Sequence, residues 1–170
     1  MAILLNPESD SSECTKTHYI RKKVESIFSA QDITLTKGSL KYFLKLFQGV
    51  PVAETKSILP FFDVPNDLFK ALPYDTPLNI KINIIGEWLG DTMNNRGLYV
   101  QFLGSTGNTM WVNRLPEQPA ADVITLMNCF SINNGGFLST TGSQMVIQTF
   151  GNDFKIKSIV FIAEQWIPDV

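Results

Sequence analysis

Hydrophobic and polar residues alternate strictly over one stretch near the middle of the chain. The alternation begins with four apolar residues separated by polar ones: Leu78, Ile80, Ile82 and Ile84. A period of two is typical of a β-strand with one buried and one solvated face. Five further segments follow and also predict strands: residues 98–103, 109–113, 123–132, 144–150 and 154–163. The last segment becomes apolar on both faces, which is typical of a strand buried on two sides in a sandwich or an interface.

Short clusters rich in glycine and asparagine separate these segments, as in Asn133-Asn134-Gly135-Gly136 and Gly151-Asn152-Asp153. Such residues tolerate the positive φ angles of tight turns. The connections are too short for crossover helices, so the strands are expected to be antiparallel. With one or two strands from residues 33–62, the total matches a sandwich or jelly roll. We therefore predict a mainly β protein with a jelly-roll-like antiparallel β-sandwich domain at residues 76–170.

Residues 1–75 follow a different pattern and predict a partly helical, partly extended arm that packs on the core or on neighbouring subunits. A helix is expected over residues 17–30, because apolar side chains cluster on one helical face: Tyr19, Ile20, Val24, Ile27 and Phe28. Residues 33–36 alternate like a short strand. Five prolines divide residues 50–77 into short extended pieces, which indicates a connector laid over a core.

Two shorter helices are also expected in this arm. Residues 39–48 place apolar side chains at helical spacing, at Leu40, Phe43, Leu44 and Phe47. An alternation of Leu40, Tyr42, Leu44 and Leu46 leaves a strand as the alternative for this segment. Residues 66–72 predict a short helix with Asn66 as its N-terminal cap.

Charge and composition restrict the classes of function. Fourteen basic and sixteen acidic residues give a net charge of -2, which argues against a nucleic-acid partner because phosphate binding relies on basic surfaces. No apolar run approaches the roughly 18–20 residues that span a bilayer. The first residues are too short and too acidic for a signal peptide. The predicted helix around residues 19–28 could lie on a membrane surface, but packing on the surface of the protein is the favoured interpretation. The location stays open, with the virion as one candidate.

The cysteines and the single histidine give no catalytic or metal-binding pattern. Cys14 and Cys129 are expected to be unpaired, with Cys129 as a small buried side chain within an apolar run. His18 is expected to be a solvated surface residue. Glycoside hydrolysis would need two close carboxylates, and Glu87, Asp91 and Glu117 are not spaced in a way that selects this arrangement. We therefore expect no enzyme activity, no cofactor and no bound metal.

The loop after residue 86 holds the most informative mixture of side chains. In a simple count of hairpins, this loop, the loop at residues 114–121 and the turn at residues 151–153 emerge at one end of the sandwich. That end would gather an aromatic side chain with planar polar groups: Trp88, Asp91, Asn94, Asn95, Arg96, Glu117 and Gln118. Sugar-binding sites use this combination, so these residues form a candidate ligand site. The alternative is that Trp88 plugs the sandwich end and the polar residues only build turns.

Two other tryptophans are ambiguous. Trp111 is expected in the core or in an interface, and Trp166 is expected to close the sandwich unless exposure there indicates a neighbouring subunit. The leading interpretation is a non-catalytic structural or assembly protein, such as a virion capsid, decoration or fibre component. We expect it to associate with itself or with other structural subunits, because strands that are apolar on both faces need cover on both sides. A carbohydrate-binding, lectin-like module is the alternative.

Overall fold

The computed structural model describes residues 17–47, 60–63, 66–91, 93–104 and 108–169. Within these residues the chain forms ten β-strands. A 3-10 helix covers Leu44–Phe47 and a single α-helical turn covers Phe137–Thr140. The strands are β1 (Tyr19–Leu35), β2 (Lys41–Tyr42), β3 (Phe62–Asp63), β4 (Leu68–Phe69), β5 (Pro77–Trp88), β6 (Arg96–Phe102), β7 (Thr109–Arg114), β8 (Ala121–Ser131), β9 (Met145–Phe150) and β10 (Phe154–Pro168). Each of the six strands predicted from residue 78 onward is present, with ends moved by a few residues.

Two four-stranded antiparallel sheets form the body of the fold. The first sheet has the order β1-β10-β5-β8, and the second has the order β2-β9-β6-β7. Strands that are distant in sequence are neighbours in each sheet, so the chain crosses repeatedly from one sheet to the other. This arrangement is an antiparallel, jelly-roll-like β-sandwich, and it confirms the predicted fold class.

The helix predicted over residues 17–30 is wrong, because this segment belongs to strand β1 of the first sheet. β1 pairs with β10 from Tyr19, opposite Pro168, to Leu35, opposite Phe154. The register shifts between Ser29 and Ile33, so the buried positions change from even-numbered residues to odd-numbered ones. The apolar residues that resemble a helical stripe precede this shift and lie on both faces of the strand. Val24 and Phe28 are buried, whereas Tyr19 is 51% exposed, so the period of two is obscured. The short strand predicted at residues 33–36 is the end of β1.

The helix predicted over residues 66–72 is also wrong. Asp67 has a φ of 56°, in the left-handed region that an α-helix does not use. Phe69 instead lies on β4, which forms a two-stranded hairpin with β3. It also exchanges two backbone hydrogen bonds of 2.8 Å with Ser143, which lies outside that hairpin. The amide of Asn66 donates to the carboxylate of Asp63 at 2.8 Å rather than capping a helix.

The described part of the segment at residues 39–48, which ends at residue 47, forms neither the predicted helix nor the full alternative strand. Only Lys41 and Tyr42 of this part pair with β9, and the 3-10 helix at Leu44–Phe47 begins two residues later. Phe43, between these two elements, is 1% exposed. The burial of this ring sets the backbone path more strongly than either sequence period does.

Cys129 is exposed, which contradicts its prediction as a buried residue. The buried positions of β8 are even-numbered, at Ile124, Leu126 and Phe130, so an odd-numbered residue points outward. The apolar run around Cys129 hides this alternation, because Met127 is apolar and yet 68% exposed.

An aromatic cluster centred on Phe69 joins the two sheets. The Phe69 ring is fully buried, and its centroid lies 5.4 Å from Phe62, 5.5 Å from Phe102, 6.2 Å from Phe161 and 6.3 Å from Phe130. Phe102 comes from the second sheet, whereas Phe130 and Phe161 come from the first. A residue of the connector between the sheets therefore fills the centre of the sandwich.

Phe69→Ala is expected to lower the free energy of unfolding by about 3–5 kcal/mol, because the ring leaves a cavity that the two sheets cannot close. Phe137→Ala is the matched control. Its ring is 43% exposed, so we expect a loss of less than about 1 kcal/mol. Urea unfolding at equal protein concentration measures both values. Equal losses in the two variants would show that Phe69 is not at the centre of the core.

Candidate functional site

Three loops meet at one end of the sandwich, as the hairpin count predicts. We call this the loop end, and its described residues are 89–91, 93–95, 115–120 and 151–153. The backbone N–H of Trp88 donates to the carbonyl of Ala120 at 2.8 Å, and that of Leu89 donates to the carbonyl of Asp153 at 2.9 Å. Gly151 has a φ of 78°, and a Cβ there would lie 2.2 Å from the carbonyl oxygen of Asn95, so the third turn packs directly on the first loop.

Arg96 lies beneath the loop end and is fully buried. Its guanidinium donates to the carbonyls of Gln118 at 2.6 Å and Pro119 at 3.1 Å, with a longer contact of 3.5 Å to Leu115. Backbone carbonyls that would otherwise lose their hydrogen bonds to water are satisfied in this way. The cation therefore fixes the loop at residues 115–120 rather than facing solvent.

Trp88 plugs the same end and is 2% exposed. Its indole N–H donates to a carboxylate oxygen of Asp122 at 3.1 Å. The ring of Phe154 meets the indole edge to face at 4.7 Å, and the Arg96 guanidinium lies 5.7 Å from the ring centroid. The indole has a partner on each side, as the structural alternative expects, and it offers no open face for a sugar to stack on.

Asp122 connects this plug to strand β7. Its carboxylate accepts two hydrogen bonds from Arg114, from Nε at 2.7 Å and from an Nη at 2.9 Å. Burial alone would raise the pKa of Asp122, but the hydrogen bonds from Arg114 and Trp88 and the charge of Arg114 together hold it below its ordinary value. The ionised carboxylate is thus a structural partner of both side chains.

The polar side chains of the loop end mainly build turns. The Asn152 amide donates to the carbonyls of Leu89 at 2.9 Å and Asp91 at 2.6 Å. The Asp91 carboxylate accepts the N–H of Met93 at 2.8 Å. The side-chain oxygen of Gln118 accepts the N–H of Leu115 at 2.8 Å. The contact of Asp91 with Met93 is an Asx turn, whereas the amide of Asn152 ties the turn at residues 151–153 to the first loop.

The structure brings all seven predicted ligand residues to the loop end, but it separates them by exposure. Trp88 and Arg96 are buried, and the other five are exposed: Asp91, Asn94, Asn95, Glu117 and Gln118. Met93 and Leu115 are also exposed there, at 57% and 66%. Ligand binding by the five exposed residues stays a prediction, without an aromatic platform beside them.

Sequence reasoning missed Arg114, Asp122 and Asn152 as the residues that organise this end. One signal for the first two was available. They flank a loop between two strands and carry opposite charges, and the ends of such a loop lie close together. Nothing in the sequence distinguishes Asn152 from an ordinary turn residue.

The other residues singled out in the sequence lie away from the loop end. Trp111 on β7 is 66% exposed. Trp166 on β10 is 44% exposed, so it does not close the sandwich. His18 is exposed beside the end of β10, where its carbonyl accepts the N–H of Asp169 at 2.8 Å. Of the acids considered for hydrolysis, Glu87 forms an ion pair with Lys157 at 3.0 Å.

Neither a metal-ligand cluster nor a membrane-crossing helix occurs in the described part of the chain. Within it, no group of three His, Cys, Asp or Glu side chains could hold a metal ion. Its helices are also too short to cross a bilayer.

Comparison with known proteins assigns the chain to a family. Residues 20–165 match the family described as the Sf6-type phage tail needle knob or tip of some Caudovirales. The chain belongs to this family. It is also 32% identical over 145 residues to the tail needle protein of Shigella phage Sf6, an alignment that covers 85% of this chain and 50% of that protein. The chain therefore spans about half the length of this relative.

Membership of the tail needle knob family makes the chain a structural component of the virion, which confirms the leading prediction from the sequence.

Among solved structures, the vertex protein P5 of PRD1 is similar at 15% identity and a TM-score of 0.46, over 84% of this chain and 94% of that one. The Eiger TNF of S. frugiperda is similar at 10% identity and a TM-score of 0.43, over 87% of this chain and 94% of that one.

Asp122→Asn is expected to destabilise the knob by about 1–3 kcal/mol near neutral pH, because Arg114 loses its charged partner. The lowered pKa of Asp122 fixes the sign of the pH dependence. The ionised carboxylate of Asp122 contributes fully to the free energy of unfolding above the ordinary carboxyl pKa of about 3.9. This contribution is lost as the pH falls through the lower pKa that Asp122 has in the folded state.

Urea unfolding of both proteins between about pH 7 and about pH 3 should therefore show the difference shrinking in acid. Glu117→Gln, which removes an exposed acid from the neighbouring loop, should show no such trend. A difference for Asp122→Asn that stays constant across this range would contradict the assignment.

Proposed function

We propose that the chain is a non-catalytic tip of a phage tail needle that associates with copies of itself through the outer face of its first sheet. Membership of the tail needle knob family supports a structural role and implies assembly with other structural subunits of the virion. The observation that carries the proposed self-association is the composition of that outer face.

The outer face of the first sheet is rich in apolar side chains. Val160 and Ile162 on β10 and Ile85 on β5 are half-buried in the single chain, whereas Val123 and Met127 on β8 are 57% and 68% exposed. We call these five residues the association face. The register places them in neighbouring rows, with Ile162 and Met127 on either side of Lys81, and Val123 beside Ile85. Lys81, Asn83 and Thr125 lie among these residues, and apolar side chains in this number on one outer sheet face are typical of a subunit contact.

The shape and the charges of the association face favour a partner with a matching surface. A shallow groove of about 640 Å³ runs between Ile162 and Met127, so a partner side chain has a place to insert. Two ion pairs lie beside the groove, Lys23–Glu25 at 2.9 Å and Arg21–Glu164 at 3.8 Å, and the side chain of Lys81 lines it between Ile162 and Met127. Burial of such pairs costs less than burial of single ions. A second copy of the same chain supplies the same apolar residues in a closed symmetric oligomer.

The positions of the chain ends support the orientation of a tip. Tyr19 pairs with Pro168, so both ends of the described chain lie at the end of the sandwich opposite the loop end. A segment that joins the knob through residue 17 or through residue 169 enters from that side. The loop end, with Met93 and Leu115 exposed, then faces away from the rest of the needle.

Ile162→Glu tests the association face. A carboxylate there would lose its water on contact, which costs several kcal/mol, so the variant should run at the single-chain mass of 19.0 kDa. The unchanged protein should run at a multiple of that mass. Asn113→Asp is the matched control. It introduces a carboxylate on the exposed outer face of the second sheet and should leave the mass of the assembly unchanged.

Light scattering coupled to gel filtration measures all three masses, and circular dichroism checks that each variant is folded. A single-chain mass for the unchanged protein at micromolar concentration would contradict self-association. An oligomer that survives Ile162→Glu would place the contact elsewhere on the molecule.

A further inference from the structure

The outer face of the second sheet carries no charged side chain over β6, β7 and β9, whereas beside β2 the Nζ of Lys45 lies 5.1 Å from the centroid of the Tyr42 ring. Buried residues such as Leu98, Val100 and Ile147 define the inner side of this sheet, so their chain neighbours point outward. On the described strands β6, β7 and β9, every outward position holds an uncharged side chain. Several of these side chains are aromatic and several are amides. The surface can therefore form hydrogen bonds and stacking contacts without removing an ion from water.

Three side chains lie side by side across the middle of this face. Tyr99 on β6 is directly opposite Trp111 on β7 and directly opposite Gln148 on β9. Neighbouring strands lie about 4.8 Å apart, so the row spans roughly 10 Å. Trp111 is 66% exposed and Tyr99 is half-buried, so the two rings present an open aromatic surface. We call these three residues the aromatic row.

The aromatic row is held in place within the single chain. The Tyr99 hydroxyl donates to the side-chain oxygen of Gln148, and the Gln148 amide nitrogen donates in turn to the carbonyl of Gly38. This chain of hydrogen bonds fixes the phenol and the amide before any partner arrives. A pre-ordered site loses less conformational entropy on binding.

Gly97 on β6 has no side chain, which leaves room for the ring of Phe150 on the outer face of the second sheet. A Cβ at this position would lie 2.2 Å from the Phe150 ring and 2.5 Å from the carbonyl oxygen of Val112. The ring of Phe150 therefore lies against the backbone of β6 beside the aromatic row. Asn113, opposite Gly97 on β7, adds an exposed amide to the same edge.

We propose that the aromatic row binds a neutral carbohydrate. The C–H faces of a pyranose ring stack on exposed aromatic rings, while its hydroxyl groups take hydrogen bonds from planar amides such as those of Gln148 and Asn113. Charge complementarity selects the class of sugar. A uronic acid or a sialic acid would bring a carboxylate to strands β6, β7 and β9, whose outward residues supply no cation, so the matching glycan is uncharged.

The proposal assigns sugar binding to residues other than those of the loop end. Trp88, the aromatic side chain of that end, is enclosed by its neighbours, whereas Trp111 is open to solvent. A row of three side chains is also far smaller than the roughly 20–30 residues per partner of a standard protein interface, which argues against a second copy as the occupant.

The test begins with the intact protein on a printed array of neutral hexose and N-acetylhexosamine oligosaccharides, together with sialylated and uronic-acid oligosaccharides. The strongest neutral oligosaccharide is then titrated in solution by calorimetry. We expect saturable binding that weakens about tenfold in Trp111→Ala, which corresponds to about 1.4 kcal/mol, because a stacked ring is lost. Tyr99→Ala should weaken binding similarly, and Trp111→Phe should retain part of it.

Trp166→Ala is the matched control, because it removes an exposed tryptophan from the first sheet and should leave the affinity unchanged. Circular dichroism and the native mass show that the variants remain folded and assembled, which keeps this test separate from that of self-association. Binding to no neutral oligosaccharide, stronger binding to the acidic ones, or an affinity unaffected by Trp111→Ala would each overturn the proposal.

Discussion

Strand β10 lies inside the first sheet between β1 and β5, and both of its sides carry apolar residues. Toward the second sheet it buries Ile159, Phe161 and Ala163 completely. Toward the outside it presents Val160 and Ile162. Burial of apolar area is the main favourable term in folding and in association, so this strand needs cover on both sides. The second sheet covers one side, and the proposed self-association covers the other.

The inner side depends on a residue that neither large sheet supplies. Phe69 enters from the connector between strands and contacts rings of both sheets. The loop end is closed in a comparable way by Trp88 and Arg96, whose polar atoms bind Asp122 and the carbonyls of the loop at residues 115–120. The two ends of the sandwich are thus different. One holds residues 17 and 169, at the ends of the described chain, and the other is a set of hydrogen-bonded loops with exposed polar residues.

The sequence predicts strands well where the apolar period stays in phase. β5 and the strands after it were found because residues such as Ile80, Ile82 and Ile84 keep one parity. β1 was missed because apolar residues lie on both of its faces, with Val24 and Phe28 inward and Tyr19 and Ile27 outward, so no period of two is visible. The hairpin around Phe69 was missed because its path follows from contact with Ser143, far away in the sequence. At the loop end, position was predictable from hairpin order, but burial was not. The partners that enclose Trp88 and Arg96 come from separate loops.

If the protein self-associates as proposed, the outer face of the first sheet is covered in the assembly. The reactivity of two methionines tests this cover directly. In the single chain Met127 on that face is 68% exposed and Met93 at the loop end is 57% exposed. Hydroxyl-radical footprinting of the native protein, read by mass spectrometry, compares their oxidation within one sample. The account predicts that Met127 is protected while Met93 reacts freely. Equal oxidation of the two side chains would contradict it.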